Sequence, residues 1–172
     1  MTNFISQTCC FTGHRDIPAA DRDSLYQVVK EQIVSLINQG YRYFGAGGAL
    51  GFDMLAEKAV LELRDQFPQT RLILVLPCVE QTRGWSSADK AEYDRILHLA
   101  DKVVYTSRDY YSGCMHKRNR HLVDNSSACI CYLKQNQGGT AYTVSYARQK
   151  CLRIINCASK LPRSHRSDLI LR

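Results

Sequence analysis

The sequence lacks the long apolar run that a membrane-spanning helix requires. Such a helix needs about 20 consecutive apolar residues, and no stretch of the 172 residues approaches that length. The N-terminal segment MTNFISQTCCFTGHR has neither a basic start nor a long apolar centre, so it does not look like a secretory signal. These absences predict a cytoplasmic protein that has no membrane partner.

The eight cysteines lack the paired CxxC spacing that zinc sites use. Cys129 and Cys131 alternate along an apolar run, which places both on the same face of a strand. A disulfide framework would need an oxidising compartment, and nothing else in the sequence indicates one. Since a buried cysteine behaves as a small apolar side chain, we predict core cysteines and no metal site.

Two familiar nucleotide-binding signatures are also missing. The stretch GGALGFD at 47–53 lies between a strand-like and a helix-like segment, but counted from Gly45 the sixth position is Leu50 rather than glycine. No Gly-Lys-Ser/Thr follows it, which excludes a P-loop. The sequence therefore predicts neither the GxGxxG dinucleotide fingerprint nor ATP hydrolysis of the Walker type.

Short apolar runs alternate with amphipathic helical patterns along the chain. Continuous apolar strands separated by helices are typical of a parallel sheet that is covered on both faces. We predict an α/β fold, a three-layer sandwich with a mostly parallel central sheet, over residues 1–158, and a basic C-terminal tail over 159–172. The predicted strands lie at 8–11, 41–44, 72–76, 102–105, 128–133 and 152–156, with helices between them.

The formal net charge is +7, and part of it is concentrated at 116–120 and in the tail. Such a charge fits a nucleic-acid partner, an anionic small molecule or simple solubility. No long polybasic block occurs, so we do not expect a nucleic-acid partner. Exposed strand edges and helix faces are compatible with a homodimer.

The ends of the predicted strands carry residues suited to an anionic ligand. In an open parallel sheet, ligands bind beyond the carboxyl ends of the strands, near the switch in strand order. Glycine-rich helix starts hold phosphate through backbone N–H groups, so we predict two glycine nests facing one cleft. The candidate ligand-binding residues are Thr12, Gly13, His14, Arg15, Gly47, Gly48, Leu50, Gly51, Asp53, Arg118, Asn119, Gly138, Gly139 and Thr140.

Several of these residues have two interpretations. Arg15 grips a phosphate bidentately or is a solvated loop arginine. His14 is an acid–base group or a hydrogen-bonding scaffold. Asp53 binds a ribose hydroxyl or stabilises the start of its helix, and Arg118 could neutralise a second phosphate. The candidates for a catalytic role are His14, Asp53 and Arg118.

Taken in order, the marked segments resemble the YpsA-like family of the SLOG superfamily, which is named for the Smf/DprA and LOG proteins. The resemblance implies a Rossmann-like domain that binds a nucleotide, NAD or an ADP-ribose-like molecule, and it implies no other cofactor. It also implies a link to bacterial cell division, and hence a cell-division or stress-response protein partner. The matching segments are TGHR at 12–15, GGALGFDMLA at 47–56, LPCVEQTRGW at 76–85, ADKVV at 100–104, RN at 118–119 and GGTAYTVSYA at 138–147.

The enzymatic LOG branch of that superfamily cleaves nucleoside 5′-monophosphates to a free base and ribose 5-phosphate, with a motif that resembles PGGxGTxxE. Here Gln137 stands in place of the proline and Ser145 in place of the catalytic glutamate. A serine neither stabilises an oxocarbenium-like centre as a carboxylate does nor serves readily as a general base. The resemblance therefore implies a nucleotide-binding or sensor protein without LOG-type catalysis. The alternatives are an N-glycosidic or phosphoribosyl hydrolase and a DprA-like nucleic-acid binder.

Overall fold

Six β-strands form the centre of the structure, a computed structural model that describes residues 3–163. The inner strands are mostly apolar, and all five residues of the fifth strand are buried, as expected where helices cover both faces. The strands are β1 (Thr8–Gly13), β2 (Tyr43–Ala46), β3 (Arg71–Leu76), β4 (Lys102–Tyr105), β5 (Ala128–Tyr132) and β6 (Arg153–Asn156).

Five α-helices connect consecutive strands, and local chemistry sets several of their ends. Ser86 accepts a hydrogen bond from the Asp89 N–H at 3.1 Å and so caps the third helix, as its Ser-x-x-Asp sequence predicts. Gly40, with a φ of 98°, follows the end of the first helix. The helices are α1 (Arg22–Asn38), α2 (Phe52–Gln66), α3 (Ser87–Leu99), α4 (Cys114–Asp124) and α5 (Gly138–Gln149).

The sheet has the strand order β4-β3-β2-β1-β5-β6, and every pairing in it is parallel. The chain runs outward from β1 to β4 and then returns to the other side of β1 for β5 and β6. The connections that leave β1 and β5 therefore diverge, which creates a crevice at the carboxyl ends of these two strands. The predicted Rossmann-like arrangement is confirmed.

Two apolar clusters lie on opposite faces of the sheet and give the three layers. The larger one joins α1, α2 and α3 to side chains such as Phe11 and Phe44. The smaller one joins α4 and α5 to the other face and includes Cys10, Cys129 and Cys131. The prediction that Cys129 and Cys131 share a face is therefore confirmed. All eight cysteines are unpaired, and only Cys151 is exposed.

Two strands differ from their predicted bounds by two residues, and β3, β5 and β6 differ by one. Thr12 and Gly13, expected in the loop after the first strand, belong to β1 because they pair with Cys131 and Tyr132 of β5. The second strand begins at Tyr43 rather than at residue 41. A 3₁₀ helix over Cys157–Lys160 then continues the domain. Residues 164–172 of the predicted tail lie outside the described residues. No helix between residues 3 and 163 is long and apolar enough to cross a membrane.

Candidate ligand site

A cavity of about 650 Å³ opens in the crevice where the connections after β1 and β5 diverge. Cavities of about 300–1,000 Å³ are typical of small-molecule sites. Segments after β1 and β5 and from the starts of α2, α4 and α5 converge on it. The lining residues are Phe11, Thr12, Gly13, His14, Arg15, Ala49, Asp53, Met115, His116, Arg118, Asn119, Gln137, Gly138, Gly139 and Thr140.

The first turn of α5 forms one wall of the cavity. Gly138 and Gly139 are exposed, and a side chain added at either would meet nothing within 4 Å. Gln137, at the N-cap, places no side-chain acceptor on the helix. The N–H groups at the start of a helix have no intrahelical acceptor and carry a partial positive charge. Helix starts with these features bind anions in other proteins.

His14 is held as a hydrogen-bond acceptor beside the same crevice. Its Nε2 atom accepts from the backbone N–H groups of Lys134 at 2.9 Å and Gln135 at 3.4 Å. Burial, and then the Lys134 charge, lower the pKa of His14 below its usual value. A neutral ring with an acceptor at Nε2 carries its proton on Nδ1. His14 thus positions the segment after β5, and its Nε2 atom is not free to take a proton from a ligand.

Arg15 is exposed at the mouth of the cavity, on a loop that packs tightly against α2. A side chain at Gly51, which has a φ of 77°, would overlap the Arg15 carbonyl. A side chain at Gly13 would overlap the Phe52 ring. Gly13 and Gly51 therefore permit close packing between this loop and α2, and this packing places the Arg15 guanidinium at the cavity.

The glycine stretch before α2 turns its N–H groups inward rather than toward the cavity. The Gly48 N–H donates to Glu57 Oε1 at 2.9 Å, and the Ala49 N–H donates to Asp53 Oδ2 at 3.3 Å. The Gly47 carbonyl accepts from Gln81 Nε2 at 3.0 Å and from Arg118 Nη1. Glu57 thus occupies the Gly48 donor that the sequence assigned to a ligand, and Asp53 occupies the neighbouring Ala49 donor.

The cavity and this inner network share one carboxyl group, that of Asp53. Burial raises the pKa of Asp53, and the Arg118 guanidinium counters part of that rise. Burial, followed by the Asp53 charge, raises the pKa of Glu57 well above its usual range. Glu57 therefore holds its proton to higher pH than an exposed glutamate does. Asp53 stabilises the start of α2 through the Ala49 N–H and also faces the cavity.

Arg118 is a buried cation at the floor of the cavity, with 4% of its surface exposed. Its Nε atom donates to Asn119 Oδ1 at 2.6 Å, and its Nη1 atom holds the Gly47 carbonyl. Burial lowers the pKa of Arg118, the Asp53 charge raises it, and the nearby Arg15 charge lowers it again. Arg15 and Arg118 both line the cavity, and an anion bound between their guanidinium groups would relieve the repulsion between them.

The structure brings together most of the predicted ligand-binding residues but separates four of them. Gly47, Gly48, Leu50 and Gly51 do not line the cavity. Gly48 packs against Leu76, and Leu50 and Gly51 line a neighbouring cavity that also contacts Arg15. The predicted residues that line the main cavity are Thr12, Gly13, His14, Arg15, Asp53, Arg118, Asn119, Gly138, Gly139 and Thr140.

Sequence reasoning missed Glu57 and the cavity residue His116. Glu57 follows Asp53 by four residues, one turn later on the buried side of α2, so a carboxyl among apolar neighbours was the available signal. His116 lies in the basic run at the start of α4, and its position two residues before Arg118 was the available signal. Across residues 3–163, no cluster of three or more histidine, cysteine or acidic side chains could hold a metal ion.

The sequence is similar to one family of known proteins and to individual bacterial proteins. The sequence model described as the YspA SLOG family, YpsA, matches residues 10–155. The chain is 29% identical over 143 residues to the SPbeta prophage-derived protein YoqJ of Bacillus subtilis (strain 168), covering 76% of this chain and 82% of that protein.

Solved structures of DNA processing protein A (DprA) share the fold. The protein from Streptococcus pneumoniae superposes with a TM-score of 0.62 at 15% identity, covering 88% of this chain, and this chain spans only 50% of that one. DprA from Helicobacter pylori, described for its single-stranded DNA binding mode, gives a TM-score of 0.61 at 15% identity and covers 91% of this chain and 71% of its own. At this identity the likeness is one of fold.

Proposed function

The chain belongs to the YpsA SLOG family, and from this premise we propose that it binds a nucleotide-derived ligand, such as a nucleotide, NAD or an ADP-ribose-like molecule, in the cavity between β1 and β5. The protein acts as a binding or sensor protein and does not turn the ligand over by LOG-type chemistry. The phosphate lies at the first turn of α5, between the guanidinium groups of Arg15 and Arg118.

One observation carries the proposal: two cations and an uncapped helix start face the same cavity. Arg15 is exposed at its mouth, Arg118 is buried at its floor, and the first turn of α5 forms the wall between the two loops. A phosphate accepts hydrogen bonds both from guanidinium groups and from the backbone N–H groups of a helix start. Their convergence at a switch in strand order is the usual location of a nucleotide phosphate in an open parallel sheet.

The same geometry argues against turnover of the LOG type. Ser145, which takes the place of the catalytic glutamate, is exposed on α5 and does not line the cavity. Asp53 is the carboxyl group that does line it, but that group already accepts the Ala49 N–H. Hydrolysis of the N-glycosidic bond would therefore have to depend on Asp53. Incubation with AMP and an assay for free adenine, with Asp53→Asn alongside, tests this alternative.

The binding experiment compares two arginines that differ in position but not in charge. Arg15→Ala removes the cation at the cavity mouth, whereas Arg83→Ala removes an exposed arginine that does not line the cavity. Titration calorimetry with AMP, ADP-ribose and NAD measures affinity for each variant. Since a hydrogen bond to a charged group contributes about 1.5–3 kcal/mol, Arg15→Ala should weaken binding about 10-fold to 150-fold, and Arg83→Ala should leave it unchanged.

If both variants weakened ligand binding equally, the loss would be due to net charge alone. That result would contradict a phosphate site at Arg15. The absence of binding by any of the three compounds to the unaltered protein would count against the whole proposal. Thermal denaturation of each variant without ligand shows whether the substitution has altered the fold, and the exposed position of both side chains predicts that it has not.

A second candidate function, single-stranded nucleic-acid binding, is favoured by a separate surface. Tyr105, Tyr110 and Tyr111 are exposed by 45%, 68% and 46%. Lys117 and Arg120 lie with Tyr105 around a shallow cavity on the same side. Exposed aromatic side chains beside basic ones suit stacked bases and a phosphate backbone. Fluorescence anisotropy with an oligo-dT strand tests this function. If the surface binds the phosphate backbone, the affinity should fall strongly between about 50 mM and about 200 mM salt.

A further inference from the structure

His116 and Tyr142 form an aromatic pair at the rim of the ligand cavity. Their ring centroids are 4.2 Å apart, and the rings meet edge to face at 65°. His116 lines the cavity, and Tyr142 lies at the start of α5. Both side chains are exposed, Tyr142 by 38%, and neither belongs to the apolar clusters of the core. The pair therefore contributes little to the packing of the domain.

A third side chain fixes the orientation of this pair. Arg120 Nη1 donates to the Tyr142 hydroxyl at 3.0 Å, so the phenol is tied to α4, the helix that also carries His116. The hydrogen bond and the ring contact together join α4 and α5 at the mouth of the cavity. An exposed tyrosine that is held on both sides offers a flat surface at low cost in conformational entropy.

The pair lies close to the proposed phosphate position. Tyr142 follows Gly138 by four residues, which corresponds to about 6 Å along the helix axis. Side chains on a helix lean toward its N-terminus, so the Tyr142 ring is displaced toward the turn that contains Gly138 and Gly139, while the space directly over both glycines stays open. A ligand whose phosphate is bound at that turn has only its sugar between the phosphate and the aromatic pair.

We infer that His116 and Tyr142 form a base-stacking subsite, and that the ligand is a phosphorylated nucleoside rather than a simple sugar phosphate. This inference rests on the proposed phosphate site at α5. The two rings provide the aromatic surface for a purine or pyrimidine, while Arg15, Arg118 and the helix start hold the phosphate. Stacking tolerates any base, so the pair selects for the presence of a base and not for its identity.

The experiment compares three ligands that differ by one part each: AMP, ribose 5-phosphate and inorganic phosphate. Stacking of one base on an aromatic side chain corresponds to about 5-fold to 150-fold in affinity. AMP should therefore bind more tightly than ribose 5-phosphate by a factor in this range. The double variant His116→Ala, Tyr142→Ala should bind AMP as weakly as ribose 5-phosphate, and its affinity for ribose 5-phosphate should equal that of the unaltered protein.

Two further variants separate stacking from a general disturbance of α5. Tyr142→Phe keeps the ring and loses the bond from Arg120, so it should retain the preference for AMP. Tyr146→Ala removes a tyrosine one turn further along the same helix, whose hydroxyl donates to Asp124 and whose ring does not pair with His116, and it should also retain the preference for AMP.

The inference is overturned if the unaltered protein binds AMP and ribose 5-phosphate equally, or if the double variant keeps the preference for AMP. In both cases the proposed phosphate site stands. If none of the three ligands binds, the proposed function and the inference both fail.

Discussion

The Gly48 N–H donates a hydrogen bond to Glu57 Oε1 across 2.9 Å inside the protein. Glu57 has 2% of its surface exposed. The bond ties the loop after β2 to the second turn of α2, and the Asp53 carboxyl joins the Ala49 N–H to the same helix. The carboxyl groups of Glu57 and Asp53 therefore stabilise the conformation of the glycine stretch, and mutation of either residue tests this role.

Glu57→Gln should stabilise the protein at high pH and have little effect at low pH. Because burial raises the pKa of Glu57 above 4.5, the folded state retains a proton that the unfolded chain has lost. The stability that Glu57 contributes is thus complete below about pH 4.5 and is lost as the pH rises through the folded pKa, by up to about 1.4 kcal/mol per pH unit. Glutamine keeps the acceptor for Gly48 without this dependence. Urea denaturation at about pH 5 and about pH 8 measures the difference.

The exposed Glu31 of α1 provides the matched control, since Glu31→Gln removes the same charge from the surface. Its effect on the free energy of unfolding should be small at both pH values. A stability difference between Glu57→Gln and the unaltered protein that did not change with pH would show that Glu57 is ionised in both states.

Asp53→Asn should strengthen AMP binding at about pH 8 and change it less at about pH 5.5. Burial raises the pKa of Asp53, so its negative charge develops as the pH rises and then repels the phosphate. Arg118, Arg15 and Glu57 face this carboxyl group, and His14 and His116 share the cavity. The gain should approach about tenfold, because removing one like charge near the phosphate is equivalent to about 1–2 kcal/mol.

Titration calorimetry of both proteins at both pH values isolates the contribution of Asp53, because ionisation of the ligand and of the histidines affects the two proteins alike. Weaker binding by Asp53→Asn at about pH 8 would contradict the prediction. It would indicate instead that the carboxylate accepts a hydrogen bond from a ribose hydroxyl.

The two glycine clusters should respond differently to alanine. Gly51 has a φ of 77°, and a methyl group there would overlap the Arg15 carbonyl. We expect Gly51→Ala to destabilise the fold by about 2–5 kcal/mol. Gly139→Ala adds a methyl group in open space within a helix, where alanine is preferred. It should keep or raise the melting temperature and weaken AMP binding, because the methyl group enters the cavity.

Thermal denaturation and AMP titration of both variants make the test. If Gly139→Ala bound AMP with unchanged affinity, the phosphate would not lie at the first turn of α5. If Gly51→Ala melted like the unaltered protein, the close packing between the Arg15 loop and α2 would not be required for stability.

Cys151→Gly should stabilise the protein by about 1 kcal/mol. Cys151 follows α5 with a φ of 62°, and it is the only residue other than glycine with a positive φ in the described part of the chain. A side chain in this conformation costs about 1–2 kcal/mol, and glycine is the usual residue at such a helix end. Part of the gain is offset by the greater freedom of glycine in the unfolded chain.

Cys151→Ala is the control, because it removes the same exposed thiol and keeps the strained conformation. Urea denaturation in the presence of a reductant should show no gain for alanine. An equal gain for both variants would assign the effect to the thiol rather than to the backbone.

The sequence predicted the order and type of the strands and helices because most strands are short apolar runs and helices such as α1 and α2 have a clear apolar stripe. Lys102–Tyr105 was placed without error. The first strand was predicted too short, since Thr12 and Gly13 are in the sheet only through pairing with Cys131 and Tyr132. Those partners lie about 120 residues away, and local pattern carries no information about them.

The cavity was predicted in outline from the convergence of strand ends, but the direction of individual donors was not. Gly48 was expected to offer its N–H to a ligand, and its N–H meets Glu57 instead. That direction depends on backbone torsions which glycine leaves free, so spacing alone could not determine it. Arg15 was easier to place, because it follows the end of β1 by two residues.

The central position of β1 also affects how the chain folds while it is synthesised on the ribosome. Cys10 pairs with Gly45 on one side and with Cys129 on the other. At a synthesis rate of about 5–20 residues per second, the second partner emerges about 6–24 s after β1. During that interval one edge of β1 is open to pairing with another nascent chain. We expect the nascent chain to depend on chaperones until β5 has emerged. The ligand should bind only once the last third of the chain has left the ribosome.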